Sequence, residues 1–395
     1  MPSTFDSRFP SVDDLRARAR RRIPRFAFEY LDGGCNEDVN LHRNTADLRQ
    51  VELVPQYLKP HTHAELRTEL FGHTYDAPFG IAPVGLQGLM WPDAPRILAR
   101  AARRHNIPFV LSTVTTASIE EIGKITEGQF WFQLYHPTET RLRDDLLDRA
   151  AAAGCQTLVI LCDVPTFGYR PRDIRNGLAL PPKMSLRNIL QIMGRPEWAL
   201  RTLMYGQPTF ESLKPYTPKG LDLRQLGQFM DQTFSGRLNA EKIGLIRDRW
   251  RGNLVLKGVA SERDAEQAIS LGLDGLIVSN HGGRQLDAGE ASIKPLRRIA
   301  AAYGDQIQVM MDSGLRSGPD VARAMACGAQ FAFLGRAFMY GVAALGATGG
   351  DHTIAILKRQ LQQVMEQLCC EQVHQLPRHL AQQPTANLAQ PQGAG

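Results

Sequence analysis

The chain has 395 residues, 43% of them hydrophobic and 22% charged, with a formal net charge of +6. That composition predicts a globular protein with a sizeable core, and no apolar run reaches the roughly 18 residues of a membrane-spanning helix. No basic stripe with interleaved aromatic residues accompanies the charge, which argues against nucleic acid and favours anionic small molecules or an anionic membrane surface as partners. The first residues lack the layout of a secretory signal, so we expect a cytoplasmic protein.

The six cysteines show neither CxxC pairing nor the spacing of metal ligands. Four of them lie in apolar sequence that is typical of helices or strands. We therefore expect reduced packing residues and no metal site. The six are Cys35, Cys155, Cys162, Cys327, Cys369 and Cys370.

Residues 1–75 predict a helical segment that leads into the main domain. Ser11, followed by Asp13 and Asp14, is typical of a helix cap. The basic run at 16–22 is interpreted as a solvated face. An amphipathic piece at 26–34 ends in two glycines, which commonly terminate a helix.

From residue 76 to 376, short apolar runs alternate with segments of helical period. Parallel strands need crossover helices, and eight strands can close around a packed interior. The pattern predicts an α/β fold, a (β/α)₈ barrel, with a doubly wound open sheet as the alternative. The eight runs are Phe79 to Ala82, Ile107 to Leu111, Phe130 to Leu134, Thr157 to Leu161, Asn253 to Leu256, Gly275 to Val278, Gln308 to Met311 and Gln330 to Leu334.

Polar residues or glycines follow each of these runs. Active sites of such barrels lie at the carboxyl ends of the strands, so these residues are the candidate site. They are Pro83 to Gly85, Ser112, Gln133 with Tyr135, Asp163, Lys257, Ser279 with His281, Asp312 with Ser313 and Gly314, and Gly335 with Arg336.

A long insertion, 171–250, separates the fourth and fifth strands. Between Met184 and Tyr205 it combines Leu, Ile, Met and Trp with several basic residues. This pattern favours either a lid helix on the barrel or an element in a membrane interface. Residues 377–395, rich in Gln, Ala and Pro, predict a disordered tail.

The sixth run leads into 279–285, Ser-Asn-His-Gly-Gly-Arg-Gln. His281 can exchange a proton near neutral pH, and Arg284 offers a planar fork for a carboxylate. Two later motifs, 312–318 and 334–337, combine glycine N–H groups with Arg316 and Arg336, which predicts a phosphate cradle.

With Lys257 and these motifs in this order, the chain resembles the FMN-dependent L-2-hydroxy acid dehydrogenase and oxidase family, which includes glycolate oxidase and the lactate and mandelate dehydrogenases. The likeness runs from about Pro24 to Cys370. Within the family, the chain is most similar to the membrane-associated mandelate dehydrogenase branch, and the closer match lies at 83–89, at Trp91 with Pro92, and at 196–200.

The resemblance implies FMN as cofactor and a role for each site residue. His281 would be the base and Asp163 its partner. The substrate would be held by Tyr30, Tyr135, Arg170 and Arg284. The cofactor would contact Pro83, Val84, Gly85, Ser112, Gln133, Lys257, Ser279, Asp312, Ser313, Gly314, Arg316, Gly335 and Arg336. Whether the base removes the α-hydrogen or the hydroxyl proton stays open.

Three positions depart from the family pattern. Leu161 stands where a threonine usually contacts the flavin, and Pro171 interrupts a loop that usually carries a polar residue. Val114 replaces the tryptophan of glycolate oxidase, so we expect a substrate larger than glycolate.

Glycine at Gly85 is typical of relatives that react slowly with oxygen. We therefore expect a dehydrogenase that passes electrons to quinone, peripheral on the cytoplasmic face of the inner membrane, as a homotetramer.

Three other functions remain open from the residues. An oxygen-using oxidase would produce hydrogen peroxide. A non-redox FMN barrel of the isopentenyl diphosphate isomerase type acts on a diphosphate, which gives no reason for the arginines and tyrosines around His281. The third alternative is a barrel that binds a ligand without catalysis.

Overall fold

The computed structural model describes residues 5–178, 185–206, 208–217, 232–234 and 237–381. Eight parallel strands lie in the order β3-β10-β9-β8-β7-β6-β5-β4, and a parallel bridge between Ile81 and Phe109 joins the two ends. The predicted (β/α)₈ barrel is confirmed. Its strands are β3 (Phe79–Ile81), β4 (Val110–Ser112), β5 (Trp131–Leu134), β6 (Thr157–Leu161), β7 (Asn253–Val259), β8 (Gly275–Val278), β9 (Gln308–Met311) and β10 (Phe331–Leu334).

The α-helices that the structure describes are α1 (Val12–Arg22), α2 (Arg25–Asp32), α3 (Val39–Arg49), α4 (Gln87–Met90), α5 (Ala94–Arg104), α6 (Ile119–Thr126), α7 (Thr140–Ala152), α8 (Pro171–Arg175), α9 (Leu186–Met193), α10 (Pro196–Tyr205), α11 (Ala240–Arg249), α12 (Glu262–Ser270), α13 (Ile293–Tyr303), α14 (Gly318–Ala326), α15 (Arg336–Leu345) and α16 (Gly349–Leu368). Short 3₁₀ helices span Glu211–Leu213, Gly346–Thr348 and Val373–His379. Since β-strands and helices alternate from β3 to α15, each crossover returns the chain to the same end of the barrel.

An antiparallel hairpin, β1 (Thr68–Leu70) and β2 (His73–Tyr75), covers the amino end of the barrel. Leu70 is buried in the barrel interior, and the Phe71 ring lies 5.7 Å from Trp131, the first residue of β5. Tyr75 lies 5.6 Å from Phe331, the first residue of β10. With this end closed, the cavity opens at the carboxyl end of the strands.

The amino-terminal helices pack on the barrel. Helix α1 begins with a capping box between Ser11 and Asp14, and it packs along α15. Helix α2 ends at Gly33. The basic run of α1 is mostly exposed, but Arg22 departs from that reading. Its guanidinium lies 4.0 Å from the Trp91 ring, because α1 packs beside the segment that follows α4.

The insertion begins with α8 and continues through α9 and α10 to α11. The Trp198 indole N–H of α10 lies 3.2 Å from the carbonyls of Leu89 and Met90, and Gln191 of α9 accepts a hydrogen bond from the Phe26 N–H. Met184 and residues 218–231 lie outside the described residues. No helix within the described ranges is both long enough and apolar enough to cross a membrane.

Most strand predictions are correct within one or two residues. Strand β4 begins at Val110 rather than Ile107, since Pro108 has no N–H for a ladder. Strand β7 extends to Val259. The six cysteines are free. At the end of the chain, the 3₁₀ helix continues to His379, and Leu380 bridges to Leu53. The rest of the predicted tail, 382–395, lies outside the described residues.

Candidate functional site

A cavity of about 1250 Å³ opens at the carboxyl ends of the strands, between the barrel, α2 and α10. Four of the predicted site residues lie at the same strand ends, largely or fully buried, but do not line this cavity: Asp163, Ser112, Gln133 and Ser279. The other predicted site residues all line it: Tyr30, Pro83, Val84, Gly85, Tyr135, Arg170, Lys257, His281, Arg284, Asp312, Ser313, Gly314, Arg316, Gly335 and Arg336.

His281 and Asp163 form a buried pair at the ends of β8 and β6. The imidazole Nδ1 lies 3.2 Å from both carboxylate oxygens. When Nδ1–H donates to this carboxylate, Nε2 is the nitrogen that can accept a proton. Burial lowers the pKa of His281, although Asp163 partly offsets that effect. Burial also opposes the charge of Asp163, but His281 and Lys257 hold the pKa of that carboxyl below its usual value. The resting pair is therefore a neutral imidazole beside a carboxylate.

Gly258 leaves room for Asp163 beside His281. The residue has a φ of +98°, and a Cβ there would lie 2.5 Å from Cβ and Cγ of Asp163. The pairing of β7 with β8 shifts register between Lys257 and Val259, which bulges the strand at this point. The sequence analysis missed this residue. A glycine inside a strand, directly after the candidate Lys257, is the signal that could have found it.

Short hydrogen bonds fix the loop that carries His281. The His281 N–H donates to Ser279 Oγ at 3.0 Å, and the Gly282 N–H donates to Ser313 Oγ at 2.9 Å. His281 has a φ of +58°, a left-handed conformation that is uncommon for a residue with a side chain. The loop is thus held in a strained conformation that sets the direction of the imidazole.

Helix α3 secures the same loop from the amino-terminal segment. The Asn280 amide pairs with Asn44, with N···O distances of 2.7 and 2.8 Å, and Asn40 lies 3.2 Å away. Both asparagines of α3 are buried. A buried amide needs partners, so this cluster locks α3 to the loop. The sequence analysis did not identify Asn40 or Asn44.

Two partly buried arginines, Arg170 and Arg284, line the same cavity. Arg284 Nη1 donates to the carbonyls of Tyr30 (2.7 Å) and Gly33 (2.8 Å), and its guanidinium lies 5.0 Å from the Tyr30 ring. Burial and the nearby Arg170 lower the pKa of Arg284. The Nε of Arg170 is buried and has no hydrogen-bond partner within the described part of the chain. Its Nη1 lies 3.8 Å from Asp173, a residue the sequence analysis missed. The pair has room to bind one more anion, such as a carboxylate.

Lys257 is a buried cation at the end of β7. Its Nζ lies 3.2 Å from Asp312 and donates to Ser279 Oγ at 3.0 Å. Burial opposes its charge, but Asp312 and Asp163 raise the pKa of Lys257. The ammonium therefore stays charged on the cavity wall.

Arg336 begins α15 and lies beside Arg316 and Arg284. Burial, then these two arginines, lower the pKa of Arg336 to about 9. An anion against Arg316 and Arg336 would remove this repulsion, so the site fits the phosphate of FMN. Two of its five N–H groups remain for such an anion, because the guanidinium already donates three hydrogen bonds of 2.8 to 2.9 Å to the carbonyls of Leu31, Gly33 and Gly282.

A (β/α)₈ barrel that brings a His–Asp pair, two neighbouring arginines, a buried lysine and a further group of arginines to one face is typical of an enzyme that acts beside a phosphorylated cofactor. Residues 19–383 match the FMN-dependent dehydrogenase family, to which the chain belongs. The protein is an FMN-dependent oxidoreductase, as the resemblance implied.

Relatives and solved structures of this family cover nearly the whole chain. The L-lactate dehydrogenases of Caulobacter sp. (strain K31) and Ectopseudomonas mendocina are each 38% identical, over 90% and 89% of this chain and 93% of their own length. The monotopic membrane protein (S)-mandelate dehydrogenase aligns with a TM-score of 0.90 and 33% identity, over 96% of this chain and 100% of its own. A mandelate oxidase aligns with a TM-score of 0.81 and 32% identity, over 94% and 98%.

Proposed function

We propose that the protein oxidises an L-2-hydroxy acid, lactate-like or mandelate-like, to the 2-oxo acid. The observation that carries this proposal is the neutral His281, hydrogen-bonded to Asp163, in the same cavity as the paired Arg170 and Arg284. A base and a carboxylate clamp together suit an acid that bears a hydroxyl on the next carbon. The lactate and mandelate dehydrogenases among the relatives support the same substrate class.

In this proposal Arg170 and Arg284 bind the substrate carboxylate, and Tyr30 hydrogen-bonds it. Burial raises the pKa of Tyr135 to about 12, so its hydroxyl stays protonated and can donate to the substrate hydroxyl. His281 Nε2 takes one proton from the substrate, either from the α-carbon or from the hydroxyl. Asp163 stabilises the imidazolium that forms. Bound FMN supplies the acceptor for the two electrons.

The cofactor residues divide into three groups. Arg316 and Arg336 would bind the phosphate, with the backbone of Ser313, Gly314 and Gly335, and Asp312 would bind the ribityl chain. Lys257 would offset the negative charge that two-electron reduction brings to the site. The ring would contact the remaining group, Pro83, Val84, Gly85, Ser112, Gln133 and Ser279. The crowding of cations around Arg336 supports this assignment.

The substrate is expected to be larger than glycolate. The Val114 side chain approaches within 2.9 Å of the place where a Cβ on Gly85 would lie, so both residues border the same part of the cavity. An apolar substrate group gains about 25 cal/mol per Å² that it buries there. Anaerobic flavin bleaching by glycolate, L-lactate and L-mandelate tests both the reaction and this preference.

The Val114→Trp variant is the matched control for that panel. A tryptophan at this position would fill the space beside Val114. It is therefore expected to slow bleaching by mandelate much more than bleaching by glycolate. A wild-type preference for glycolate over all larger acids would contradict the size prediction, and no bleaching by any of them would contradict the reaction.

We further propose that electrons pass to quinone at a membrane surface. Helices α9 and α10 turn apolar side chains outward, and Arg187 and Arg201 are exposed beside them. Their inner faces line the cavity through Ile192, Trp198 and Ala199. The lid and membrane interpretations are therefore compatible. The exposed apolar residues are Leu186, Ile189, Leu190, Met193, Leu200, Leu203, Met204 and Tyr205.

Such a surface suits the interface of an anionic bilayer, where apolar burial and basic residues both contribute. The mandelate dehydrogenase with the same fold is a monotopic membrane protein, which supports peripheral attachment here. The family resemblance also suggests a homotetramer. Sedimentation as a 43.9 kDa monomer would contradict that state.

A double variant, Leu186→Gln with Leu190→Gln, is expected to lose binding to anionic vesicles. Each leucine is worth about 1.5–3 kcal/mol when buried, so the affinity should fall at least about tenfold. Co-sedimentation measures this, with Leu58→Gln and Leu245→Gln, also exposed apolar residues, as the control.

Rates with a quinone analogue and with oxygen test the acceptor. If the wild type neither pellets with vesicles nor prefers the quinone analogue, an oxygen-using oxidase with a lid replaces this proposal.

A further inference from the structure

A second, smaller cavity of about 290 Å³ lies next to the main one. Tyr135 and Phe234 line both cavities, and their rings form a T-shaped pair with centroids 6.0 Å apart. This pair is the shared wall. The small cavity otherwise combines apolar Leu161 and Leu238 with polar His136 and Arg237. The catalytic proposal above uses neither of these polar residues.

His136 is the unusual feature of this cavity. Both ring nitrogens are buried, and among the residues that the structure describes neither has a hydrogen-bond partner of good geometry. Burial, with the nearby positive charges of Lys242 and Arg143, lowers the pKa of His136 to about 4, so the imidazole is neutral at neutral pH. A neutral imidazole has one donor and one acceptor, and leaving a buried polar group unpaired is unfavourable. A ligand that both accepts and donates would satisfy both nitrogens.

The charge around the cavity favours an anion. Arg143 is already paired with Asp144, at 2.8 Å, and Lys242 donates to the carbonyl of Arg237. The guanidinium of Arg237 has no carboxylate partner among the residues that the structure describes. Of these three cations, Arg237 is the one that lines the cavity, so it is the one that a ligand there would contact.

The thiol of Cys162 also lines this cavity. Burial raises the pKa of Cys162, so it stays a neutral thiol and gives no reason to expect covalent or redox chemistry there. A binding site is the simpler interpretation.

We propose that the small cavity is a second binding site for a small monocarboxylate of the 2-hydroxy or 2-oxo acid class. The carboxylate would bind Arg237 and accept from one ring nitrogen of His136. A ligand hydroxyl, or a water bound with the oxo acid, would donate to the other nitrogen. Leu161, Leu238 and Phe234 would surround the rest of the ligand. The choice of this ligand class rests on the proposed function, because the substrate and the product of that reaction belong to it.

The test measures how many carboxylates bind per flavin in the FMN-loaded enzyme. Equilibrium dialysis with labelled pyruvate, and separately with D-lactate as a hydroxy acid of the opposite hand, is expected to give two sites per flavin in the wild type. Arg237→Gln changes an exposed residue and should weaken the second site at least tenfold. His136→Phe, which replaces both ring nitrogens with carbon, should remove it. Both variants should keep their flavin and the first site.

One carboxylate per flavin in the wild type would overturn the proposal. So would two sites that persist in both variants, or equal displacement by inorganic phosphate, which would indicate a general anion site. Flavin bleaching by a hydroxy acid depends on the main cavity alone. A failure of the second site is therefore distinguishable from a failure of the proposed reaction.

Discussion

His281→Gln is expected to bind FMN normally and to lose flavin reduction by the hydroxy acid. General-base help is worth roughly 10²- to 10⁴-fold in rate, and glutamine cannot accept the proton. The residue lies on the β8 loop, and the proposed phosphate cradle of Arg316 and Arg336 follows β9 and β10. Cofactor content should therefore be unaffected.

Anaerobic stopped-flow measurement of flavin bleaching gives the rate directly. His105→Gln is the matched control, because His105 also pairs with a carboxylate, Asp351 at 3.1 Å, but lies outside the cavity. The control should bleach at the wild-type rate. If His281→Gln also bleaches within a few-fold of wild type, His281 is not the base.

The barrel could be predicted because its strands are short, apolar and buried on both faces. Runs such as Thr157–Leu161 and Gly275–Val278 were placed correctly to the residue. Parallel strands that start at one end of a barrel must all finish at the other. Polar residues after successive runs therefore meet in space, although the chain separates Tyr135 from Arg336 by most of the barrel.

Features that depend on contacts between distant segments were missed. The hairpin that closes the amino end has strands of three residues, which carry too little periodicity to recognise. Asn40 and Asn44 lie in an ordinary helix, and only the fold brings them to Asn280. Asp173 follows Arg170 in a short helix turn, where nothing local distinguishes a buried acid beside two arginines from a solvated one.

The protonation states and pKa shifts of the site also could not be predicted from the sequence. His281 and Arg284 were chosen for their chemistry. His281 is neutral because burial lowers its pKa more than the nearby Asp163 carboxylate raises it. Both contributions depend on the folded geometry. The same holds for Arg336, whose lowered pKa needs both burial and the neighbouring Arg316.

Arg284→Lys is expected to weaken carboxylate binding and to leave the flavin content unchanged. Arg284 Nη1 is held by the carbonyls of Tyr30 and Gly33, so the guanidinium can be fixed at one nitrogen and still present others to a carboxylate. Lysine has one compact ammonium and cannot do both. A hydrogen bond to a charged group is worth about 1.5–3 kcal/mol, so affinity for oxalate should fall roughly ten- to hundredfold.

Titration of the bound flavin spectrum with oxalate measures this affinity without turnover. Arg43→Lys is the matched control, since Arg43 Nη1 also donates to backbone, to the carbonyl of Gly289 at 2.7 Å, and does not line the cavity. The buried Nε of Arg170 lacks a hydrogen-bond partner among the described residues, so Arg170 alone offers a second route to binding the acid. If Arg284→Lys binds oxalate as tightly as the wild type, Arg170 alone is the clamp. Loss of flavin from the variant would instead assign Arg284 to the phosphate cradle, through its neighbour Arg336.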